Sequence, residues 1–327
     1  MLTKFWEGLG SHIAEQLVSR LFSPALVFWL CGFFAWASSQ GGLINVLREQ
    51  SKSWGAAPVL TQVMFLVVGL LVLVASSTAM RQAQPYLQRL LEGDWPGPLR
   101  HLGSRLARRR ASRRFILEAR YSELRWRRVQ VLTGDQQQEN AVPDQTRDLD
   151  VLAVEMAVIR SQLQRLPDPA RMRPTRLGNV LQVADSRPLR KYGLEATVVW
   201  PVLWQVMTTE ERYDVGQSRV GLERNTEAWG WAALFLAWTP WAWWAAPASV
   251  VASSAIYYAS ILSAAQTYGQ LLEASFDLYR MKLYRALCLP LPASPGEERH
   301  SGALLTQFLQ DSLLPHVEYQ HQEPSGT

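Results

Sequence analysis

The chain has 327 residues, a mean hydropathy of -0.07 and a formal charge of +5, long enough for two domains of ordinary size. Its basicity rests on arginine, since only 4 of 33 basic residues are lysine. Two cysteines, Cys31 and Cys288, exclude a disulfide framework and a CxxC metal site, and no GxxxxGK[ST], HExxH, GxSxG or GxGxxG pattern offers an enzyme class a motif.

Residues 1–21 place Phe5, Trp6, Leu9, Ile13, Leu17 and Leu21 at helical spacing. They predict an amphipathic helix, lying either in a bilayer interface or against the protein's own cytosolic domain. No charge occurs over residues 22–46 or 53–80. Each run exceeds the ~20 residues that cross ~30 Å of hydrocarbon. Gly41-Gly42 and the charged turn Arg48, Glu49, Lys52 separate them, which predicts a first transmembrane hairpin over 22–80. A signal peptide fits the first run poorly: it lacks a concentrated basic start, and a second run follows at once.

Residues 81–227 hold 25 of the 33 basic residues, which predicts a mainly helical, arginine-rich domain on the cytoplasmic side with both chain termini. The loop 93–98 (GDWPGP) opens it. From Arg100 to Arg128 there are 11 arginines against Glu118 and Glu123, interleaved with Phe115, Ile116, Leu117, Tyr121, Leu124 and Trp126. Three partners suit that face, in falling order: anionic headgroups or the domain's own acids, a phosphate-bearing ligand or nucleotide, and nucleic acid. Residues 149–166 carry an apolar stripe at helical spacing.

Further on, Pro174-Thr175 suits a helix start, and Gly178-Asn179 allows a close backbone approach. Arg173, Arg176, Arg187, Arg190 and Lys191 cluster in sequence and, with Asn179 and Tyr192, are candidate anion ligands. Residues 198–207 are too short to span a bilayer and too apolar for a free loop. They predict an interfacial or re-entrant segment, or a junction packing the cytosolic domain onto the membrane helices.

Residues 209–227 read as a polar helix running into a third apolar run, 228–272, which holds 45 residues without a charge. At 1.5 Å per residue that run is ~68 Å of helix, enough for two crossings. Pro247 predicts the break, with helices near 229–245 and 248–268 forming a second hairpin over 228–270. Ala255, Ala259 and Ser263 recur every four residues, a spacing that suits close helix contact within or between protomers. Ser260, Ser263, Gln266 and Thr267 would line a polar path if protomers surrounded a pore. An amphipathic cytosolic helix over 271–292 and a largely irregular tail over 293–327, with one short helix at 304–314, complete the chain.

The runs 174–181 (PTRLGNVL), 192–194 (YGL), 200–204 (WPVLW), 268–271 (YGQL) and 276–280 (FDLYR), with Leu283-Tyr284, Leu287 and Pro290-Leu291-Pro292, resemble a group of uncharacterised bacterial four-span membrane proteins. The likeness covers residues 173–292; it implies the same layout and a bacterial source, and implies no activity. The sequence thus predicts an all-α protein of the bacterial cytoplasmic membrane with four transmembrane helices in two hairpins. The expected role is non-enzymatic and needs no cofactor: the cytosolic domain binds a partner or anionic ligand while the helices anchor and assemble it. Lipid bilayer and a second copy of the chain are the expected partners. An oligomeric channel gated by that domain is the alternative.

Overall fold

The computed structural model describes residues 24–42, 44, 45, 48, 58–97, 99–134 and 142–311. The expected amphipathic helix at 1–21 lies outside them. The described elements are all helical: α1 Pro24–Ser39, α2 Val59–Glu92, α3 Leu99–Gly134, α4 Val142–Gln164, α5 Arg176–Tyr192, α6 Ala196–Val206, α7 Thr209–Leu234, α8 Ala245–Ala255, α9 Leu262–Ala286 and α10 Pro295–Asp311. Short 3-10 turns occupy Pro169–Arg171 and Phe235–Trp238, and a π-helical stretch, Ile256–Ile261, joins α8 to α9 without a break.

Among the described residues two helices are long and apolar enough to cross a membrane, Val59–Glu92 and the continuous Ala245–Ala286, where the sequence predicts four. The most apolar stretch of α2 has no buried residue. The other two predicted spans are shorter as described. Helix α1 has 16 residues, ~24 Å of rise against ~30 Å of hydrocarbon. The helix expected near 229–245 is instead the end of α7, which starts at Thr209 and stops at Leu234. Pro240 contributes to the stop: it has no N–H to offer the Leu236 carbonyl, and the chain runs through 3-10 and turn geometry to Trp244. Pro247 sits in the first turn of α8, where a missing N–H costs nothing.

The chain divides into two compact units, the first formed by residues 1–88 and 221–263, the second by 89–220 and 264–327. In the first, Ala25 and Phe28 of α1 pack on Met80 and Trp231, with Leu87, Phe235 and Trp238 at the margin. The Phe28 and Trp231 rings lie 5.0 Å apart. Small residues permit these approaches: a Cβ on Gly32 would fall 2.3 Å from the Trp238 ring, and one on Gly230 would fall 2.6 Å from Leu87. Ser249 Oγ donates to the Ala232 carbonyl at 2.8 Å, fastening α8 to the end of α7.

In the second unit α3 and α4 form an antiparallel pair. Leu124 and Ile159 are buried, Arg120 pairs with Glu155 at 2.7 Å, and Arg114 donates to the Leu166 carbonyl at 2.8 Å while meeting Asp168 at 3.2 Å. The remaining core joins α5, α6, α9 and α10 through Leu194, Val199, Leu203, Met207, Phe276, Leu283, Tyr284 and Leu305. Residues 198–207 fall largely in α6, which packs one face into the core of this unit, where Val199 and Leu203 are fully buried. Helix α10 also exceeds the short helix expected at 304–314. Pro295 opens it, Glu297 and Glu298 favour its first turn, and Gly302 lets it meet the end of α5, where a Cβ would fall 1.9 Å from the Tyr192 carbonyl.

Candidate anion-binding site

Helix α2 ends in a Schellman turn. Gly93, at φ +88°, donates to the Leu90 carbonyl at 3.2 Å, and Asp94 N–H donates to that of Arg89 at 2.9 Å. The chain turns through Trp95, Pro96 and Gly97 into α3. Trp95 Nε1 donates to the Leu90 carbonyl at 2.8 Å, which fixes the ring. Gly103 lies close to it, since a Cβ there would sit 3.5 Å from the Trp95 ring and 3.6 Å from Pro174. A groove of about 980 Å³ opens between this turn, the first three turns of α3 and residues 169–174. Arg100, Ser104 and Arg108 share one face of α3, while the small Gly103, Ala107 and Ala111 form a neighbouring stripe that leaves room beside them. Arg171 and Arg173 line the opposite wall. The charged lining is thus four arginines against one carboxylate, Asp94. Their guanidiniums carry planar forks of donors suited to phosphate or carboxylate oxygens.

The backbone at Arg173 is held firmly. Asn179 Oδ1 accepts from the Arg173 N–H at 2.8 Å, and its Nδ2 donates to the Arg173 carbonyl at 3.0 Å and the Thr175 carbonyl at 2.8 Å. Thr175 Oγ1 accepts from Gly178 N–H at 3.0 Å as the N-cap of α5. A Cβ on Gly178 would fall 2.0 Å from the Glu92 carbonyl, so this helix start abuts the end of α2. The expected helix start and close approach are both present. Asn179, predicted as an anion ligand, spends its side chain on the backbone instead.

The predicted basic cluster divides. Arg173 joins the groove and Arg176 and Arg190 are exposed, but Arg187, Lys191 and Tyr192 face acids on α9. Arg187 pairs with Glu273; Lys191 meets Glu273 at 2.7 Å and Asp277 at 3.0 Å; Tyr192 OH donates to Asp277 at 2.7 Å. Hydrogen bonding to Glu273, and then to Asp277, raises the Lys191 pKa despite partial desolvation. The cluster predicted from sequence spacing is therefore largely a helix–helix clamp. Its α9 partners, about 85 residues away in sequence, gave no local signal. Arg171 entered no predicted site, whereas Arg100 and Arg108 belong to the arginine-dense stretch 100–128, for which a phosphate-bearing ligand is one of the three partners the sequence suggests.

Asp185, on α5, is pushed up to about 6, first by burial and then by Glu92, against the lowering influence of Arg219 and Arg173. Arg173 therefore serves two environments, the groove and this carboxylate.

Ala255, Ala259 and Ser263 are exposed within the protomer, as are Gln266 and Thr267, while Ser260 is half-buried. Ser263 Oγ donates to the Ala259 carbonyl at 2.8 Å, and the Ser260 carbonyl accepts from Asn225 Nδ2 at 3.4 Å. Gln266 lines a cleft of about 240 Å³ with Arg165, Arg187 and Gly269. Among the described residues the small-residue stripe Ala255, Ala259 and Ser263 is thus exposed. Comparison with protein-family models, curated proteins and solved structures finds no match to this chain.

Proposed function

We propose that the protein is a non-enzymatic, membrane-anchored module whose arginine-rich unit binds an anionic ligand in the groove beside Trp95. The groove carries this reading: four arginines converge on about 980 Å³ with a single carboxylate opposing them. Long apolar helices support the anchor, because leaving the exposed apolar length of α2 in water would cost about 25 cal/mol for every Å². On this reading four segments enter the bilayer of a bacterial cytoplasmic membrane. Residues 24–39 and 228–245 are its shorter members, and the basic unit and both termini lie in the cytoplasm, as the distribution of arginine favours.

The test is equilibrium binding of tripolyphosphate to the full-length protein in nanodiscs of neutral lipid. Binding that weakens steeply with salt and drops at least tenfold in the Arg100→Gln/Arg173→Gln double variant is expected. Equal binding by the variant would remove the groove from the account.

A second reading, an oligomeric channel gated by the basic unit, is favoured by the exposure of Ala255, Ala259 and Ser263. Mass measurement in detergent separates the two, since a strict monomer rules the channel out. For an oligomer, ion flux from liposomes altered by Gln266→Leu would support it.

A further inference from the structure

The groove offers more than positive charge. Part of its lining is an indole whose edge is already committed: Trp95 Nε1 donates to the Leu90 carbonyl at 2.8 Å, and Gly103 lies close to the ring, where a Cβ would fall 3.5 Å from it. The ring is half-buried, so part of an immobilised aromatic surface remains open to the groove. Asp94 lies beside it, exposed, with its backbone N–H tied to the Arg89 carbonyl at 2.9 Å. A lone carboxylate among four arginines would weaken binding of a simple polyanion. It is useful when the ligand also presents hydroxyl donors, as a ribose does. The arginines then answer a phosphate chain: Arg100 and Arg108 stand two turns apart on α3, ~12 Å along its axis, and Arg171 and Arg173 face them across the groove. Arg108 is already steered, its Nε donating to the Ser104 carbonyl at 3.3 Å, and Arg171 is engaged only loosely by Glu195 at 3.7 Å.

Flat ring, hydroxyl acceptor and guanidiniums occur in one compartment, with a charge surplus of three that offsets most of the negative charge of a nucleoside triphosphate. From this juxtaposition we infer that the ligand is a nucleoside polyphosphate, with the base on Trp95, the ribose hydroxyls on Asp94 and the phosphates among Arg100, Arg108, Arg171 and Arg173. The inference rests on the proposed anion-binding role and narrows it to one ligand class. A volume of about 980 Å³ is at the upper end of small-ligand pockets.

Equilibrium dialysis of labelled ATP and GTP against the full-length protein in neutral-lipid nanodiscs, with tripolyphosphate as competitor, tests it. At least one nucleotide should bind ten or more times tighter than tripolyphosphate. Trp95→Leu should erase that advantage while leaving tripolyphosphate binding within twofold, and Trp95→Phe should restore much of it. Asp94→Asn should favour tripolyphosphate over the nucleotide. Three results overturn the inference and leave the anion-binding role standing: tripolyphosphate equal to both nucleotides, a single-stranded oligonucleotide preferred over either, or nucleotide binding abolished by phosphatidylglycerol in the nanodisc, which would assign the arginines to lipid phosphate. Failure of every phosphate probe overturns both.

Discussion

Asn179 shows how far a residue's chemistry can be read without its neighbours. A polar side chain among arginines suggests a ligand contact, yet Asn179 is 5% exposed, accepts from the Arg173 N–H and donates to the Arg173 and Thr175 carbonyls. Asn179→Ala takes from the part-buried Arg173 N–H and carbonyl the partners that the Asn179 side chain supplies. It should destabilise the second unit by about 2–3 kcal/mol in denaturant unfolding and weaken anion binding by displacing Arg173. An unchanged midpoint would contradict the clamp. Asp185 supplies a residue-level pH signature. Its folded pKa of about 6 exceeds the unfolded value, so the native state holds the extra proton through that window. Stability should fall as pH rises from about 4 to about 7 and then level off. Asp185→Asn should remove that fall and gain at most roughly 3 kcal/mol at pH 8, read from thermal unfolding across pH. Thr175 and Gly178 were legible as a cap and a close approach because those roles are local; the partners of Asn179 and Asp185 depend on packing.

At the scale of elements, helix type was legible wherever periodicity or the absence of charge ran for more than about ten residues. Helix ends were less so. Two prolines competed to break the third apolar run, and Pro240 contributes to the break because it falls where backbone N–H groups are needed, whereas Pro247 falls in a helical first turn. The apolar run 196–206 was ambiguous for another reason: a short helix buried in a protein core and a segment lying in lipid have the same composition. Its partners on α5, α9 and α10 place one face of it in a protein core. The α5–α9 clamp gives the element-level prediction. Glu273 accepts from both Arg187 and Lys191 with its side chain 18% exposed, so Glu273→Gln should cost about 1–3 kcal/mol. Part of that should be lost at 0.5 M salt, since the Arg187 and Lys191 side chains are 32% and 43% exposed and open to screening. It should leave tripolyphosphate affinity unchanged, because Arg187 and Lys191 do not line the groove.

For the whole molecule, the uneven distribution of charge was the clearest message of the sequence, and the two compact units follow it. One is built from tryptophan, phenylalanine and small residues; the other binds its helices with ion pairs and displays many arginines. The groove was largely illegible because its walls come from residues 93–111 and 169–182, and only folding of the α3–α4 pair brings them together. The central claim of the proposed function is that the apolar part of α2 lies in a bilayer while the arginine-rich α3 is in cytoplasmic water. Single-cysteine variants in a background lacking Cys31 and Cys288 test this most directly, labelled with a membrane-impermeant maleimide in bacterial spheroplasts and in inside-out vesicles. Arg109→Cys, on exposed α3, should be labelled only in inside-out vesicles, and Leu70→Cys, in the apolar half of α2, in neither. Labelling of Arg109→Cys in spheroplasts, or of Leu70→Cys in either preparation, would contradict the account.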